Sequence, residues 1–358
     1  MKKIKQVGLL LITFIVTACS DNAPNNNENA INTFNIESHL QDIFDIGIRP
    51  QVQLLQNEIA NFDTLLANFN EVSNEENFNE LRESWKTLIL SWKPLEVITI
   101  GDFALTSKIV AIHFWPIQEE TLKTNIENFT VNEFNLNARA RGLGALEYIL
   151  FSNDYNAFIN NDLTENSIAY LNVITDQLII DIDSYDQEWL DYESDFKTGV
   201  QSSVTGTQNK LINEIIFTFF DIIVTKIQGV ELSNNDNAFL LNSEAPYSEL
   251  SLEIIEAQIE FIQKIFSGTF TEGENTVSIY DQLNSLERAD LIEALEAQFG
   301  LVLTNLSSQE NSLEYLIKNN IDALTTLENN ITALNVLIST DVVSVLDILV
   351  TVSDNDGD

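Results

Sequence analysis

One carboxylate stands alone in an apolar segment of this sequence. Glu147 is the only charged residue between Gly142 and Asn153, within the run LGALEYILF. Burying an isolated ionised carboxylate is costly, so the group must be protonated, hydrogen-bonded, paired with a cation or bound to a metal. Glu147 is therefore the first residue from which a function can be sought.

The residues around this carboxylate predict one helix over 139–151. The helix is apolar on nearly every face, which is typical of a helix inside a protein. Helical spacing places Ala140, Gly144 and Phe151 on the same face as Glu147. Because Gly144 has no side chain, another backbone or a ligand could approach that face closely.

Two other side chains are candidates to act on Glu147. Arg82 flanks the apolar stripe of a predicted helix over 74–92, where it either lies along the edge of the core or pairs with a buried acid such as Glu147. His113 is one of only two histidines and lies in the apolar run IVAIHFWPI, just before Trp115. It is either a hydrogen-bonded histidine of ordinary structural type or a metal ligand.

The start of the chain predicts export and lipidation, with a signal peptide over 1–18 and a flexible tether over 19–35. Basic residues precede an apolar stretch, residues 7–16, that is too short to span a bilayer. The sequence VTAC that follows resembles a bacterial lipobox, which implies cleavage before Cys19 and a lipid on its thiol. Ser20, directly after Cys19, is not the aspartate that is typical of retention in the inner membrane, so the outer membrane is favoured. We therefore expect a lipoprotein of the cell envelope that is anchored to the outer membrane, facing either the periplasm or the surface.

Charge and composition exclude several classes of function. The formal net charge is −38, which argues against nucleic acid as a partner because such binding needs basic patches. Cys19 is the single cysteine, so no disulfide can form within the chain. The sequence also lacks GxSxG, P-loop, Rossmann and HExxH motifs. The sequence therefore offers few of the motifs that are typical of enzymes.

Helical periodicity dominates the chain from residue 36 onward, and only five prolines and 12 glycines interrupt it. The length is sufficient for two domains, and a segment rich in Gly, Ser, Thr and Gln around 197–210 marks a candidate boundary. The predicted domains are 36–198 and 199–352, followed by an acidic tail over 353–358. Helices are expected over 74–92, 139–151, 163–190, 211–228, 283–299, 313–325 and 331–349.

A further candidate site precedes a predicted helix in the second half of the chain. Tyr247 and Ser248 follow Pro246, at the point where apolar periodicity resumes. Ser248 is either the N-cap of that helix or part of the polar wall of a pocket between the two domains.

Several of these segments, in this order, resemble the imelysin-like family. The family signature is Gly-x-His-x-x-Glu followed by an aromatic residue and an apolar run. Gly142, Glu147 and Tyr148 match it, whereas Gly144 stands at the histidine position. Other segments of the family are also present, namely Trp115–Pro116, Tyr247–Ser248 and an acidic C-terminal end.

The resemblance implies an all-α protein of two helical-bundle domains packed against each other, with a site in the crevice between them. The family has been classed with metallopeptidases and linked to bacterial iron uptake. We therefore expect iron or another divalent metal, bound by Glu147 and His113, and an uptake partner in the envelope. The expected ligand-binding residues are Glu147, Arg82, Trp115, Gly142, Gly144, Tyr247 and Ser248.

Two functions with a ligand site remain open from the sequence, beside a surface scaffold with no small-molecule site. The first is a non-catalytic binding component of iron or other ligand uptake, which the missing motif histidine and the poor catalytic inventory favour. The second is a metallopeptidase in which Glu147 and His113 share a metal, with His113 supplying the imidazole that Gly144 cannot.

Overall fold

Helix starts and apolar stripes explain most of the architecture. Asn74 accepts a hydrogen bond from the backbone N–H of Asn77 and so caps a helix over Glu75–Glu96. The stripe predicted for this helix is buried, and Trp85 and Trp92 are both fully buried. The helix continues through Pro94, four residues beyond the predicted end, and this extension buries Lys93 and places the partly buried Glu96 beside it.

The computed structural model describes residues 34–100, 107–129, 136–232, 243–271 and 276–351. The first half contains helices α1 (Ile36–Asp42), α2 (Arg49–Glu71), α3 (Glu75–Glu96), α4 (Ser107–Ile112), α5 (Glu119–Glu127), α6 (Gly142–Phe151), α7 (Tyr155–Ile159) and α8 (Thr164–Thr198). The second half contains α9 (Thr207–Phe220), α10 (Gly229–Leu232), α11 (Ser251–Ser267), α12 (Ile279–Ser285), α13 (Ala289–Ser307), α14 (Leu313–Asn319), α15 (Ile321–Val336) and α16 (Val343–Val345).

Irregular helical turns join or precede several of these helices. π-Helical turns over Ile43–Ile48, Asp221–Gln228 and Leu337–Val342 connect α1 to α2, α9 to α10 and α15 to α16. A 3₁₀ turn over Ala138–Ala140 precedes α6. No strand occurs in the described ranges, so the all-α prediction is confirmed.

The helix predicted over 139–151 is wrong at its start. Arg141 is extended and Gly142 has a φ of +71°, so the 3₁₀ turn and α6 are separate elements. A left-handed φ costs glycine little, and a Cβ on Gly142 would lie 2.4 Å from the carbonyl oxygen of Ile112. Gly142 therefore allows the chain to turn into α6 against the end of α4.

Boundaries in the second half also differ from the prediction. The expected helix over 283–299 is interrupted after Ser285, and Glu287 there has a φ of +59°. The expected helix over 313–325 breaks at Asn320, whose side chain caps α15. Both breaks are made by turn and capping geometry, which apolar periodicity alone does not reveal.

The core is continuous across both halves of the chain. Helix α3 packs against α2 and α6 from the first half and against α11 from the second. The described residues, which begin at Phe34, belong to one compact unit. The division at 198/199 lies in the connection between α8 and α9, and the two-domain organisation stays a prediction.

The lipid-anchor prediction depends on the N-terminal residues of the chain. The predicted signal peptide, Cys19 and most of the tether lie outside the described residues, and so does the acidic tail. In the ranges that are described, no helix combines the length and the hydrophobicity needed to cross a membrane.

Candidate functional site

Helix α6 places Glu147 in the interior, beside the turn that precedes α11 in the second half of the chain. Its side chain is buried, and Oε1 accepts hydrogen bonds from the backbone N–H of Tyr247, the backbone N–H of Ser248 and the Ser248 hydroxyl, each at 2.9 Å. Burial raises the pKa of Glu147 to about 7 despite these three donors. The carboxyl is thus hydrogen-bonded, and it titrates near neutrality.

Ser248 is not the N-cap of α11. The N-cap is Leu250, and the Ser248 hydroxyl and N–H instead point to Glu147. The turn that makes this contact contains Ala245 at a φ of 54° and Glu249 at a φ of 60°, both in the left-handed region. Ser248 thus lies against Glu147 of the signature helix, and its second interpretation, the polar wall of a pocket between the two domains, stays a prediction.

Arg82 does not pair with Glu147, so that interpretation is wrong. Its Nε donates to the Leu150 carbonyl at 2.7 Å, and an Nη donates to the Asn153 carbonyl at 2.5 Å. The guanidinium also lies 4.5 Å from the centre of the Phe78 ring. Arg82 satisfies carbonyls at the C-terminal end of α6, which is a structural role at the edge of the core.

At Gly144 the backbone of another segment, which includes Phe114, lies close to helix α6. A Cβ there would lie 2.6 Å from Cγ2 of Ile117 and 2.9 Å from the carbonyl oxygen of Phe114. The segment that carries His113 and Trp115 therefore occupies the space in which a side chain at position 144 would lie. A histidine at that position does not fit this packing.

A small cavity brings together five of the predicted site residues. Its volume is about 20 Å³, which is room for a single water molecule or ion. Its chemically informative lining residues are His113, Trp115, Glu119, Gly144, Glu147 and Tyr247. Gly142 and Arg82 do not line it, and Ser248 reaches it only through its bonds to Glu147.

Sequence reasoning missed Glu119 in this cavity. The Tyr247 hydroxyl donates a hydrogen bond to Glu119, and Lys123 lies 3.0 Å from the same carboxylate. Burial, followed by Glu119, raises the pKa of Tyr247 well above its ordinary value. Glu119 begins α5 beside Glu120, a pattern typical of acids that favour the N-terminus of a surface helix.

Sequence reasoning also missed a cluster of buried charges on the other side of His113. We call this group, formed by Lys93, Glu96, His113, Lys226 and Glu244, the ion cluster. Lys93 Nζ lies 2.7 Å from Glu96 Oε2 and 2.9 Å from His113 Nδ1, and it donates a hydrogen bond to Glu244 Oε1. Lys226 Nζ lies 2.8 Å from Glu244 Oε2.

The pKa values of the two carboxyl groups in the ion cluster shift in the direction opposite to that of Glu147. Burial alone would raise the pKa of Glu244, but Lys226 and Lys93 lower it to about 2. Burial likewise opposes ionisation of Glu96, and Lys93 together with His113 brings its pKa well below the ordinary range. Burial and then Lys93 lower the pKa of His113, which keeps the imidazole neutral at pH 7.

The fold and the site define an all-α protein with a buried acidic carboxyl at an ion-sized cavity. The family model for imelysin, peptidase M75, matches residues 48–340. The chain belongs to the imelysin family, as its signature segments indicate. No curated protein gives a significant match to this chain.

Solved structures show the same fold at low sequence identity. A protein described as an iron-regulated protein A precursor from Parabacteroides distasonis has 13% identity and a TM-score of 0.73, covering 87% of this chain and 95% of its own. An imelysin-like protein from Psychrobacter arcticum has 14% identity and a TM-score of 0.73, covering 89% of this chain and 99% of its own.

Proposed function

We propose that this chain is a lipid-anchored protein of the cell envelope that binds iron or another small cation without catalysing a reaction. The observation that carries the proposal is Glu147, a buried carboxyl beside a cavity of about 20 Å³. Carboxylate and hydroxyl oxygens are ligands that suit hard cations. The cavity is of the size for one ion and offers Glu147 and Glu119 as acidic groups.

The charge around the cavity supports a cation as its ligand. Glu314 contributes a second carboxylate whose field raises the pKa of Glu147, and the Ser243 and Ser251 hydroxyls donate to Glu314. A bound cation would offset this like-charge repulsion and draw the proton from Glu147. The name of the related iron-regulated protein from Parabacteroides distasonis makes iron the first cation to test.

A metallopeptidase is the second candidate, because His113 and Glu147 do line the same cavity. Three observations disfavour it. The cavity has no room for a peptide, Gly144 cannot be replaced by the motif histidine in this packing, and Nδ1 of His113 faces Lys93 at 2.9 Å.

The test is the metal content of the purified chain after incubation with iron, zinc or calcium and removal of free metal. We expect about one equivalent of metal in the native chain and its loss in Glu147→Gln. Glu214→Gln is the matched control, because burial also raises the pKa of Glu214 to about 7 on a different helix. No bound metal in the native chain, or equal metal in Glu147→Gln, would contradict the proposal.

A peptide-cleavage assay tests whether the protein is non-catalytic. Peptide cleavage by the native chain that disappears in both Glu147→Gln and His113→Ala would establish the metallopeptidase alternative. We expect no cleavage in any of the three proteins.

The anchor is tested by membrane fractionation and by the mass of the N-terminal peptide. We expect the native chain in the outer-membrane fraction with an acylated Cys19, and release of Cys19→Ala from that fraction. An unmodified Cys19 would contradict the lipid anchor and leave the cation site unaffected.

A further inference from the structure

Three residues of the ion cluster have the arrangement of a metal-ligand set. Nδ1 of His113 lies 3.2 Å from Glu96 Oε1 and 3.7 Å from Glu244 Oε1, and one ligand atom from each residue lies within 4.8 Å of the others. Ligand atoms around a tetrahedral zinc with bonds of about 2.1 Å are roughly 3.4 Å apart. The two distances from His113 are close to this spacing, and two carboxylates with one imidazole are a ligand set that suits zinc.

The ammonium of Lys93 already lies among these three residues. It contacts Glu96 at 2.7 Å and His113 at 2.9 Å, and it donates to Glu244. The Lys93 side chain is fully buried, so the contacts are not screened by solvent. Lys93 therefore makes the contacts that a bound metal would make.

Charge balance explains why the ammonium group of Lys93 and a metal ion cannot be present together. The carboxylates of Glu96 and Glu244 are balanced by the ammonium groups of Lys93 and Lys226 around a neutral His113. Adding a divalent ion beside both ammonium groups would leave an excess of buried positive charge, which is unfavourable and which the partly exposed Asp221, 3.7 Å from Lys226, offsets only in part. Removing the charge of Lys93 leaves one negative charge and vacates the centre of the group.

We propose that Glu96, His113 and Glu244 form a ligand set for a divalent transition metal, and that Lys93 takes the position of the ion in the native chain. Lys93 is then the residue that determines which cation this group holds. The inference concerns a site separate from the cavity at Glu147, and it stands whether or not that cavity binds a cation.

The proposal also implies one tautomer of His113. Its Nδ1 lies closer to Lys93, at 2.9 Å, than to Glu96 Oε1, at 3.2 Å. An ammonium group only donates, so the contact with Lys93 requires Nδ1 to accept and places the proton of a neutral imidazole on Nε2, whereas a hydrogen bond to the Glu96 carboxylate would require the proton on Nδ1. In this state His113 is a hydrogen-bond donor at Nε2 and does not ligate a metal through it.

Cobalt binding to the full chain tests the proposal, because tetrahedral Co²⁺ with nitrogen and oxygen ligands has characteristic visible absorption. Lys93→Met is compared with Lys226→Met, which removes the same charge from the cluster but leaves Lys93 among the three ligands. Both carry Glu147→Gln, so that the cavity contributes nothing to the result.

We expect about one equivalent of tetrahedral Co²⁺ in Lys93→Met, its loss when His113→Gln is added, and no such signal in Lys226→Met. Displacement by Zn²⁺ should remove the absorption. A folded Lys93→Met that binds no metal, or equal binding by Lys226→Met, would overturn the proposal.

If the variants do not fold, the tautomer of His113 in the native chain tests the proposal. Nitrogen NMR distinguishes the two tautomers of a neutral imidazole, and the chain has only two histidines. His39 Nδ1 lies 2.7 Å from the Val277 carbonyl oxygen, so its proton must be on Nδ1. We expect the opposite tautomer for His113. A proton on Nδ1 of His113 would mean that Lys93 does not hold the ring, and the proposal would be wrong.

Discussion

The cavity at Glu147 and the ion cluster at Lys93 lie on two sides of His113, and they treat buried carboxyl groups in opposite ways. Glu147 has only neutral donors, and burial raises its pKa to about 7. Glu244 has two ammonium partners, and they lower its pKa to about 2. Neutral hydrogen bonds thus leave a carboxyl able to take up a proton or a cation, whereas buried ammonium groups keep it ionised.

This difference separates a site that is available from one that is already filled. The carboxyl of Glu147 lies beside an ion-sized space, and its charge has no ammonium partner among its described contacts. Glu96 and Glu244 have the more suitable metal geometry, but Lys93 occupies it. Ligand geometry by itself is therefore a poor guide to metal binding in this protein.

The largest expected effect is on the ion cluster. Lys93→Met leaves two buried carboxylates with a single ammonium, and removing one partner of a buried ion pair typically costs about 3–5 kcal/mol of unfolding free energy. Denaturant unfolding without metal measures the loss. Lys86→Met is the control, because Lys86 forms an exposed pair with Glu83 and its loss should cost less than about 1 kcal/mol. Equal losses in the two variants would remove the distinction between a filled and an available site.

The next effect is a pH dependence that comes from Glu147. Because its folded pKa lies above its unfolded value of 4.5, the native state binds the additional proton between the two values. Its contribution to stability is present at low pH and is lost as the pH rises from about 4.5 to 7, a change of roughly 3 kcal/mol. Glu147→Gln should remove this slope.

The check is the difference in unfolding free energy between Glu147→Gln and the native chain, measured across that pH range. Taking this difference removes the contributions that other titrating groups, such as Glu214, make to the pH dependence. A difference that does not change with pH would show that Glu147 ionises normally, and the contrast with Glu244 would disappear.

A smaller effect is expected where the segment carrying His113 packs on α6. Gly144→Ala introduces a Cβ at 2.6 Å from Ile117, and overpacking of this kind costs typically about 1–3 kcal/mol. Gly300→Ala is the control, because a Cβ there meets no atom within 4 Å and alanine favours the helix. Stabilisation by Gly144→Ala would mean that the position has room for the motif side chain after all.

The smallest effect is expected at the hydroxyl that faces Glu147. Ser248→Ala removes one of three donors to Oε1 and should cost about 1 kcal/mol at pH 8, where the carboxylate is ionised. It should also raise the pKa of Glu147 further, which moves the midpoint of the pH dependence upward. Ser307→Ala, which removes a hydroxyl bonded only to helix carbonyls, is the control. An unchanged midpoint would show that Ser248 does not tune the carboxyl.

Local patterns in the sequence were sufficient for the class of fold and for the central residue. The stripe that includes Trp85 and Trp92 predicted a buried helix, and the isolated charge of Glu147 predicted a buried carboxyl. Cys19 and the lipobox remain predictions, because they lie outside the described residues. The family was recognised from short segments whose order along the chain is itself information in the sequence.

The partners of these residues were decided by tertiary structure. The sequence left Arg82 either at the edge of the core or paired with Glu147, and the packing of α3 against α6 directs it to the carbonyls at the end of that helix. Lys93 and Glu96 are three residues apart on one helix, a spacing that is usually found in exposed pairs. Nothing local distinguishes them from such a pair, since their burial depends on α11 and on Glu244.

The sequence by itself therefore determined that the fold is all-α and which carboxyl stands alone, because both follow from the spacing of apolar residues along the chain. Only the tertiary structure decided which carboxyl is held ionised by buried ammonium groups and which lies beside an ion-sized cavity. That outcome depends on contacts between residues far apart in sequence, such as Lys93 with Glu244 and Glu147 with Ser248. The pKa of a buried group is set by the nearest charges and donors in space, and sequence spacing does not specify them.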